Sequence, residues 1–326
     1  MSAVLPMLML DGAQATELEK DARVDFNVSK LWSAGLLLDQ NAALASDVVV
    51  DVHRRYVLAG ADVATTISYQ ASLLGFQQEG HAQSESDMER FYERSVELAV
   101  RGRDSAWSQV GDDPARRRPL IAASIGCYGA ALADGSEYRG DYGLSKEELI
   151  AWHRHRFAFF ATHPDVDFLL CETIPCLVEV EALLALAEEH PSVRVMIAVA
   201  CRDGASLNNG DPISELSSLL NNLKNPSQLL AVGVNCTAPQ HVESLLLALE
   251  TPPETTKLVY PNSGEEWDGL LKVWKPRTHT YEDSWAAYVP KWWSAGARVF
   301  GGCCRTSPSD IETIAAICRE QLEKTS

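Results

Sequence analysis

Three cysteines in this 326-residue chain could share one metal ion: Cys236 and the adjacent pair Cys303 and Cys304. They close two short apolar runs, Leu229 to Cys236 and Arg298 to Cys303. Three thiolates fill three corners of a tetrahedron around Zn2+ and leave the fourth for a substrate. An open zinc position suits a thiol, because the metal lowers its pKa and the thiolate then exists at neutral pH. With a fourth thiolate bound, the complex carries net negative charge and the sulfur stays nucleophilic. Such a site favours attack on a cationic electrophile, a sulfonium or a quaternary ammonium. Adjacent cysteines on a regular strand point to opposite faces. Gly301 and Gly302 are therefore expected to supply the backbone freedom that turns both sulfurs toward one ion. Two packed cysteines are the alternative, since free Cys is among the most buried residue types. Spacing alone leaves both open, because cysteines drawn from distant parts of a chain lack the local specificity of a paired CxxC.

Two carboxylates close similar runs. Asp11 follows Leu8-Met9-Leu10, and Glu172 follows Phe168-Leu169-Leu170-Cys171. Either could hold a substrate ammonium. Asp11-Gly12 also reads as a simple turn. Glu172 faces either a mouth or an unfavourable interior. Other apolar runs deliver Thr65, Thr66, Ser68 and Tyr69, then Thr173, Cys201, Asn235 and Asn262. Cys171, Cys176 and Cys318 read as packing residues. Cys127 and Cys201 fall near run ends without a partner motif, with Cys201 expected to come nearer the site. His53, His153, His155, His163 and His190 fall on helical stretches or their ends, as surface or core histidines with nothing to pair them.

The elements that must position these residues alternate. Short apolar segments run from Leu8 to Gly12, Ala61 to Ser68, Pro119 to Gly126, Asp167 to Thr173, Val193 to Cys201, Leu229 to Cys236, Lys257 to Asn262 and Arg298 to Cys303. They are near-continuously apolar, as in strands buried on both faces of a parallel sheet. Between them lie stretches with helical periodicity: Ala42 to Leu58, a stripe of Met88, Phe91, Tyr92, Ser95, Leu98 and Ala99, Lys146 to Thr162, Val178 to Glu189, Ile213 to Leu223, Gln240 to Leu249, Ser284 to Ser294 and Asp310 to Glu323. Ser145-x-x-Glu148 reads as a capping box, and Ser307-Pro308-x-Asp310 as an N-cap before a first-turn proline. Eight βα units with no sign of a second domain predict one closed (β/α)8 barrel over residues 1–326. A doubly wound open sheet is weakened by the missing G-x-G-x-x-G after the first strand. In a barrel the ends of the sixth and eighth strands are two apart and can face a common ion. Long connections after strands, Ala13 to Leu38, Cys127 to Leu144 and Ser263 to Asp283, fit a decorated mouth.

Composition narrows the function classes. With 46% hydrophobic residues the chain is not disordered, and a net charge of −17 disfavours nucleic acid and anionic membranes. Eight cysteines fall below disulfide-scaffold density. Met1 to Leu10 lacks a basic n-region, and no apolar run approaches the roughly 20 residues of a membrane span. These features predict a reduced, cytoplasmic compartment. A barrel of this size is expected to be a monomer or weak homo-oligomer, with small molecules as its partners.

The chain resembles the zinc-dependent homocysteine S-methyltransferases from Asp11 to about Ile317. The resemblance lies in Leu10-Asp11-Gly12-Ala13, Leu31-Trp32-Ser33-Ala34, Thr66-Ile67-Ser68-Tyr69-Gln70-Ala71-Ser72, Gly126-Cys127-Tyr128-Gly129-Ala130 and Leu132-Ala133-Asp134-Gly135-Ser136-Glu137-Tyr138. It continues in Gly233-Val234-Asn235-Cys236-Thr237-Ala238-Pro239, Tyr260-Pro261-Asn262-Ser263-Gly264-Glu265 and Gly301-Gly302-Cys303-Cys304-Arg305-Thr306. It implies a (β/α)8 barrel, Zn2+ on Cys236, Cys303 and Cys304, and the amino group of L-homocysteine held by Asp11 and Glu172. It also implies that Thr66 to Ala71 line the methyl-donor side. Thr66, Ser68, Tyr69 and Asn235 are accordingly expected to bind substrate. The Ser-Tyr-Gln-Ala-Ser version is similar to the branch using S-methylmethionine or S-adenosylmethionine; the betaine branch is more aromatic there. Two other readings remain at this stage. One is a relative acting on selenocysteine or another thiol. The other is a non-catalytic redox-sensing barrel, whose cysteines oxidise when zinc is lost.

Overall fold

Runs such as Leu120–Gly126 become strands because their residues are apolar on both sides and β-branched or small. In a computed structural model the described residues are 7–26, 29–114, 116–268, 273–275 and 284–325. The strands are β1 (Leu8–Met9), β2 (Val63–Thr65), β3 (Leu120–Gly126), β4 (Phe168–Ile174), β5 (Val195–Ala200), β6 (Leu229–Asn235), β7 (Thr256–Tyr260), β8 (Glu266–Asp268), β9 (Val273–Lys275) and β10 (Ala297–Phe300). Eight of them form one parallel sheet in the order β1-β10-β7-β6-β5-β4-β3-β2, while β8 and β9 pair antiparallel as a separate ribbon. The order is cyclic, which distinguishes a barrel from a doubly wound sheet. All eight expected strand segments are present, most of them somewhat shorter than their apolar runs and β4 shifted by one residue.

The barrel is joined differently at one seam. β1 and β2 share no ladder, and carboxylates bridge them instead. Asp62 N donates to Met9 O at 2.7 Å, and Met9 N donates to Asp62 Oδ2 at 2.9 Å. At the other end of the seam, Thr65 N donates to Asp11 Oδ2 at 2.8 Å. Two very short strands leave backbone groups outside any ladder, and one backbone hydrogen bond and two carboxylates satisfy them.

Side-chain alternation sorts the core into two layers. Leu8, Leu10, Val63, Ala122, Phe168, Leu170, Ala231, Leu258, Tyr260 and Val299 fill the barrel. Their neighbours, among them Met9, Ala64, Ile121, Leu169, Cys171 and Val259, face the helices. The same alternation carries Thr65, Ser124, Glu172, Asn235 and Tyr260 to the inner side at the strand ends. Glu172 is two residues beyond Leu170, so its position follows from strand register.

The expected helices are present as Ala42–Leu58, Glu85–Val110, Lys146–Thr162, Leu177–Glu189, Ile213–Leu220, Pro239–Ala248, Trp285–Ser294 and Pro308–Thr325. The Met88 to Ala99 stripe is buried. Ser145 and Glu148 form the capping box, and Ser307 and Asp310 pair as expected. Short helices at Gln14–Leu18 and Tyr128–Leu132 lie in connections that were expected to be loops, and a third, Leu73–Gln78, lies in the connection after β2. Much of the long Ser263 to Asp283 connection lies outside the described residues.

The histidine expectation needs correction. His153 Nε2 lies 2.9 Å from Glu179 Oε1 with both side chains buried, and His155 and His163 pair with Glu89 and Glu93. These partners come from other helices, at a separation in sequence that spacing does not disclose. Among the described residues, no helix is long and apolar enough to cross a membrane.

The seam generates a stability prediction. Asp62→Ala leaves the buried Met9 N–H without its acceptor and should cost about 1–3 kcal/mol. A urea midpoint indistinguishable from that of the unsubstituted protein would contradict the bridging role.

Candidate metal and substrate site

The three cysteines meet at the mouth of the barrel. Their Sγ atoms all lie within 4.8 Å of one another, and Cys236 Sγ is 3.6 Å from Cys304 Sγ. No other such group of potential ligands occurs among the described residues. Cys236 follows β6 with φ at +47°, a left-handed conformation that is costly for a side-chain-bearing residue. Hydrogen bonds from Cys236 N to Tyr260 O (3.3 Å) and from Asn262 N to Thr237 O (3.1 Å) hold the turn.

After β10 the chain is sewn between its neighbours. Gly301 N donates to Val259 O, Gly302 N to Asp11 O, Cys303 N to Pro261 O, and Ser263 N donates to Cys304 O. The two glycines do not act as expected, because neither has a positive φ. They provide space. A Cβ on Gly302 would lie 2.3 Å from Thr306 Oγ1, and one on Gly301 would lie 2.8 Å from Leu10 Cβ. The backbone rotation comes instead from Cys236 and from Arg305, at φ +67°.

The carboxylates face the same cavity, which has a volume of about 210 Å3. Asp11 accepts from Thr65 N, from Thr65 Oγ1 at 2.7 Å and from Gln14 Nε2 at 3.0 Å. Glu172 accepts from Ser124 Oγ and from Tyr260 OH, the latter at 3.2 Å. Burial pushes Asp11 up to about 6, against the pull of its hydrogen bonds. Burial, with the charge of Asp11 adding to it against the pull of the Ser124 hydrogen bond, pushes Glu172 up to about 7. Among the thiols, Cys304 is held well below the usual range by hydrogen bonds from Cys236 and Cys303. The Cys236 thiol is pushed up by that same sharing and by burial; Cys303 is pulled down by Cys236 but carried up overall by Cys304 and burial. One thiolate is thus stabilised by two neighbouring thiols, and full ionisation of the trio calls for a cation.

The remaining expected residues divide. Thr66 and Tyr69 line the cavity with Asp11, Glu172 and the three cysteines. Ser68 does not: it is fully buried, donates to Ser124 O at 2.8 Å and shares a hydrogen bond with Thr66 Oγ1 at 2.7 Å. Asn235 does not either. Its Oδ1 accepts from Thr173 N and its Nδ2 donates to Thr173 Oγ1, both at 2.8 Å, which pins Thr173 at φ +60°. Ser68 therefore fastens neighbouring strand ends together, and Asn235 does so while its Nδ2 also reaches Cys303 Sγ at 3.9 Å. Cys127 and Cys201 are buried away from the wall, and the chain at Cys201 turns to bridge Leu207.

Residues not singled out also reach the wall. Tyr260 and Ser124 hold Glu172, Gln14 holds Asp11, and Trp32, Glu137 and Tyr138 stand at the wall from the long connections. Tyr260 could have been found from its even spacing with Leu258 on β7. Trp32 and Tyr138 come from irregular connections, for which periodicity carries no signal.

The cluster generates a prediction for metal binding. Cys304→Ser removes one of the three clustered sulfurs and should weaken metal affinity by at least roughly 100-fold, since a hydroxyl does not ionise to serve as a ligand. Competition with a chromophoric chelator measures this; unchanged affinity would remove Cys304 from the ligand set.

Comparison with known proteins supplies the family. The sequence profile described as homocysteine S-methyltransferase matches residues 8–318. The chain is similar to the homocysteine S-methyltransferase YbgG of Bacillus subtilis (strain 168), 42% identical over 314 residues, covering 96% of this chain and 95% of the relative. Among solved structures it is similar to the homocysteine methyltransferase MmuM from Escherichia coli. The oxidized form gives a TM-score of 0.78 and the metallated form 0.76, each at 37% identity and covering 95% of this chain and 96% of the other. A barrel whose strand ends converge three cysteines and two carboxylates, matched along nearly its whole length, belongs to the homocysteine S-methyltransferase family.

Proposed function

We propose that this protein is a zinc-dependent homocysteine S-methyltransferase that uses a sulfonium donor, S-methylmethionine or S-adenosylmethionine, and yields methionine. The observation that carries the reading is one cavity walled by three clustered cysteines on one side and by Asp11 and Glu172 on another. The cysteines fit zinc: two Zn–S bonds of about 2.3 Å at a tetrahedral angle separate the sulfurs by about 3.8 Å. The 3.6 Å between Cys236 Sγ and Cys304 Sγ is close to that value. The metallated form of the MmuM relative supports a resident metal. When bound, zinc would hold the acceptor sulfur as its thiolate at neutral pH.

The chain's own residues orient the reactants. Asp11 and Glu172, ionised, take the homocysteine ammonium, and their anchors Thr65, Gln14, Ser124 and Tyr260 keep both carboxylates aimed at it. Thr66, Ile67, Tyr69 and Gln70 form the wall assigned to the donor. The acceptor sulfur attacks the methyl carbon in line, forming the S–CH3 bond. The donor's S–CH3 bond breaks, and its electron pair returns to the donor sulfur. The leaving group is a neutral thioether, so no general acid is needed and positioning does the work. We read residues 1–326 as a single domain, working in a reducing cytoplasm where the cysteines stay as thiols.

The test is an assay of purified, zinc-loaded protein with homocysteine and each sulfonium in turn. Methionine should form with at least one donor; no product from either would overturn the assignment. Selenocysteine or another thiol as the preferred acceptor would change the acceptor and keep the chemistry. The raised carboxylates generate a pH prediction. An ammonium binds best when both acids are ionised, so affinity is full above about pH 7 and falls as pH drops through about 7 and then about 6. Methionine, which has no thiol to titrate, is the suitable ligand, followed by calorimetry. In Glu172→Gln the upper limb should vanish, and a pH-independent Kd in the unsubstituted protein would remove both carboxylates from the ammonium site.

A further inference from the structure

We propose that Arg156, a residue of the outer helix layer, is a positioning residue for the methyl-donor wall. This rests on the reading above that Thr66 to Ala71 face the donor. Arg156 lies on the helix Lys146–Thr162 and is buried, with only 4% of its surface exposed. It does not line the cavity. Its guanidinium lies where three backbone carbonyls converge. Nη2 donates to Gly126 O at 2.7 Å, and Nη1 is 3.4 Å from Tyr69 O and 3.5 Å from Ala71 O. Gly126 ends β3, and Tyr69 to Ala71 belong to the irregular connection after β2.

These carbonyls need outside donors. The connection leaves the ladder after Thr65, and a buried carbonyl without a partner is costly. A planar fork of five N–H groups can serve several acceptors at once, which a compact ammonium cannot do in the same geometry. The connection also lies flat on the strand end, because a Cβ at Gly126 would come 2.2 Å from Tyr69 O and 2.7 Å from the Tyr69 ring. Tyr69 and Gln70 line the cavity in front of this contact, and Arg156 holds it from behind.

A buried guanidinium needs a counter-charge. Nη2 of Arg156 lies 3.3 Å from His153 Nδ1. A guanidinium only donates, so Nδ1 accepts and the ring proton sits on Nε2. Nε2 then donates to Glu179 Oε1 at 2.9 Å, and the same oxygen accepts from Tyr128 N at 2.6 Å. The relay Arg156–His153–Glu179 balances the charge through a neutral imidazole. Burial lowers the His153 pKa, in keeping with that state. The relay joins two outer helices to the starts of two connections that wall the cavity. A purely packing residue at this place would need neither the fork nor the relay.

The test uses the full-length, metal-loaded protein and measures KM for each substrate at saturating levels of the other, well below the thermal midpoint. Arg156→Lys keeps the charge and loses the fork. It should raise KM for the sulfonium donor by at least about tenfold, while KM for homocysteine and metal content stay within about twofold. Glu179→Gln keeps an oxygen for Tyr128 N and His153 but removes the counter-charge. It should shift donor KM in the same direction by a few-fold, and it serves where Arg156→Lys does not fold. Tyr69→Ala reports on the wall itself. If Tyr69→Ala raises donor KM while the folded Arg156 and Glu179 variants leave it unchanged, the positioning role falls and the donor-wall reading stands. If Tyr69→Ala raises homocysteine KM instead, the donor-wall reading falls. If the Arg156 and Glu179 variants raise both KM values equally, or lose metal, the residue is structural and the proposal is overturned.

Discussion

The rest of the site depends on a convergence of like-charged groups. Three thiols and two carboxylates face one cavity of about 210 Å3, and each could carry a negative charge. Burial and mutual repulsion resist that. Asp11 and Glu172 are pushed toward neutrality, and two of the three thiols are pushed up while the third draws on both for its charge. Cations relieve the conflict. In the proposed function, a metal among the sulfurs, an ammonium between the carboxylates and a cationic donor opposite would be mutually supportive, because each would make the ionised form of the cluster less costly. The net charge of −17 belongs to the whole surface and says little about this balance.

The scaffold holds these groups together by hydrogen bonds between strand ends. Asp11 reaches across the seam to Thr65 and accepts, through its backbone, from Gly302. Asn235 clamps Thr173, while Ser68 and Thr66 tie β2's exit to β3. These polar groups complete a barrel whose ladders stop short of the mouth. Positive φ values at Thr173, Cys236 and Arg305 cluster here, where the backbone departs from strand geometry to turn side chains inward. The buried Arg156 relay extends the same logic to the outer layer, holding the connection after β2 from behind.

The sequence by itself determined the alternating apolar and amphipathic segments, and hence the eight-stranded barrel, because strand and helix periods are local. It also placed Asp11, Glu172, Cys236, Cys303 and Cys304 at strand ends, since each follows directly on an apolar run. Tertiary structure decided which polar residues face the cavity. Ser68 and Asn235 carry the same local signal as Thr66 and Tyr69, yet Ser68 turns to Ser124 and Asn235 to Thr173 and the Cys303 sulfur, partners that are distant in sequence. Tertiary structure also decided the role of Gly301 and Gly302. Glycine composition announces freedom or space without distinguishing them, and only the neighbours Thr306 and Leu10 show that space is what is needed. The pairing of His153 with Glu179, and of Arg156 with three carbonyls, lay beyond reach of the sequence for the same reason. Periodicity places a side chain on a face of its own element, but the partner it meets is set by how the elements pack.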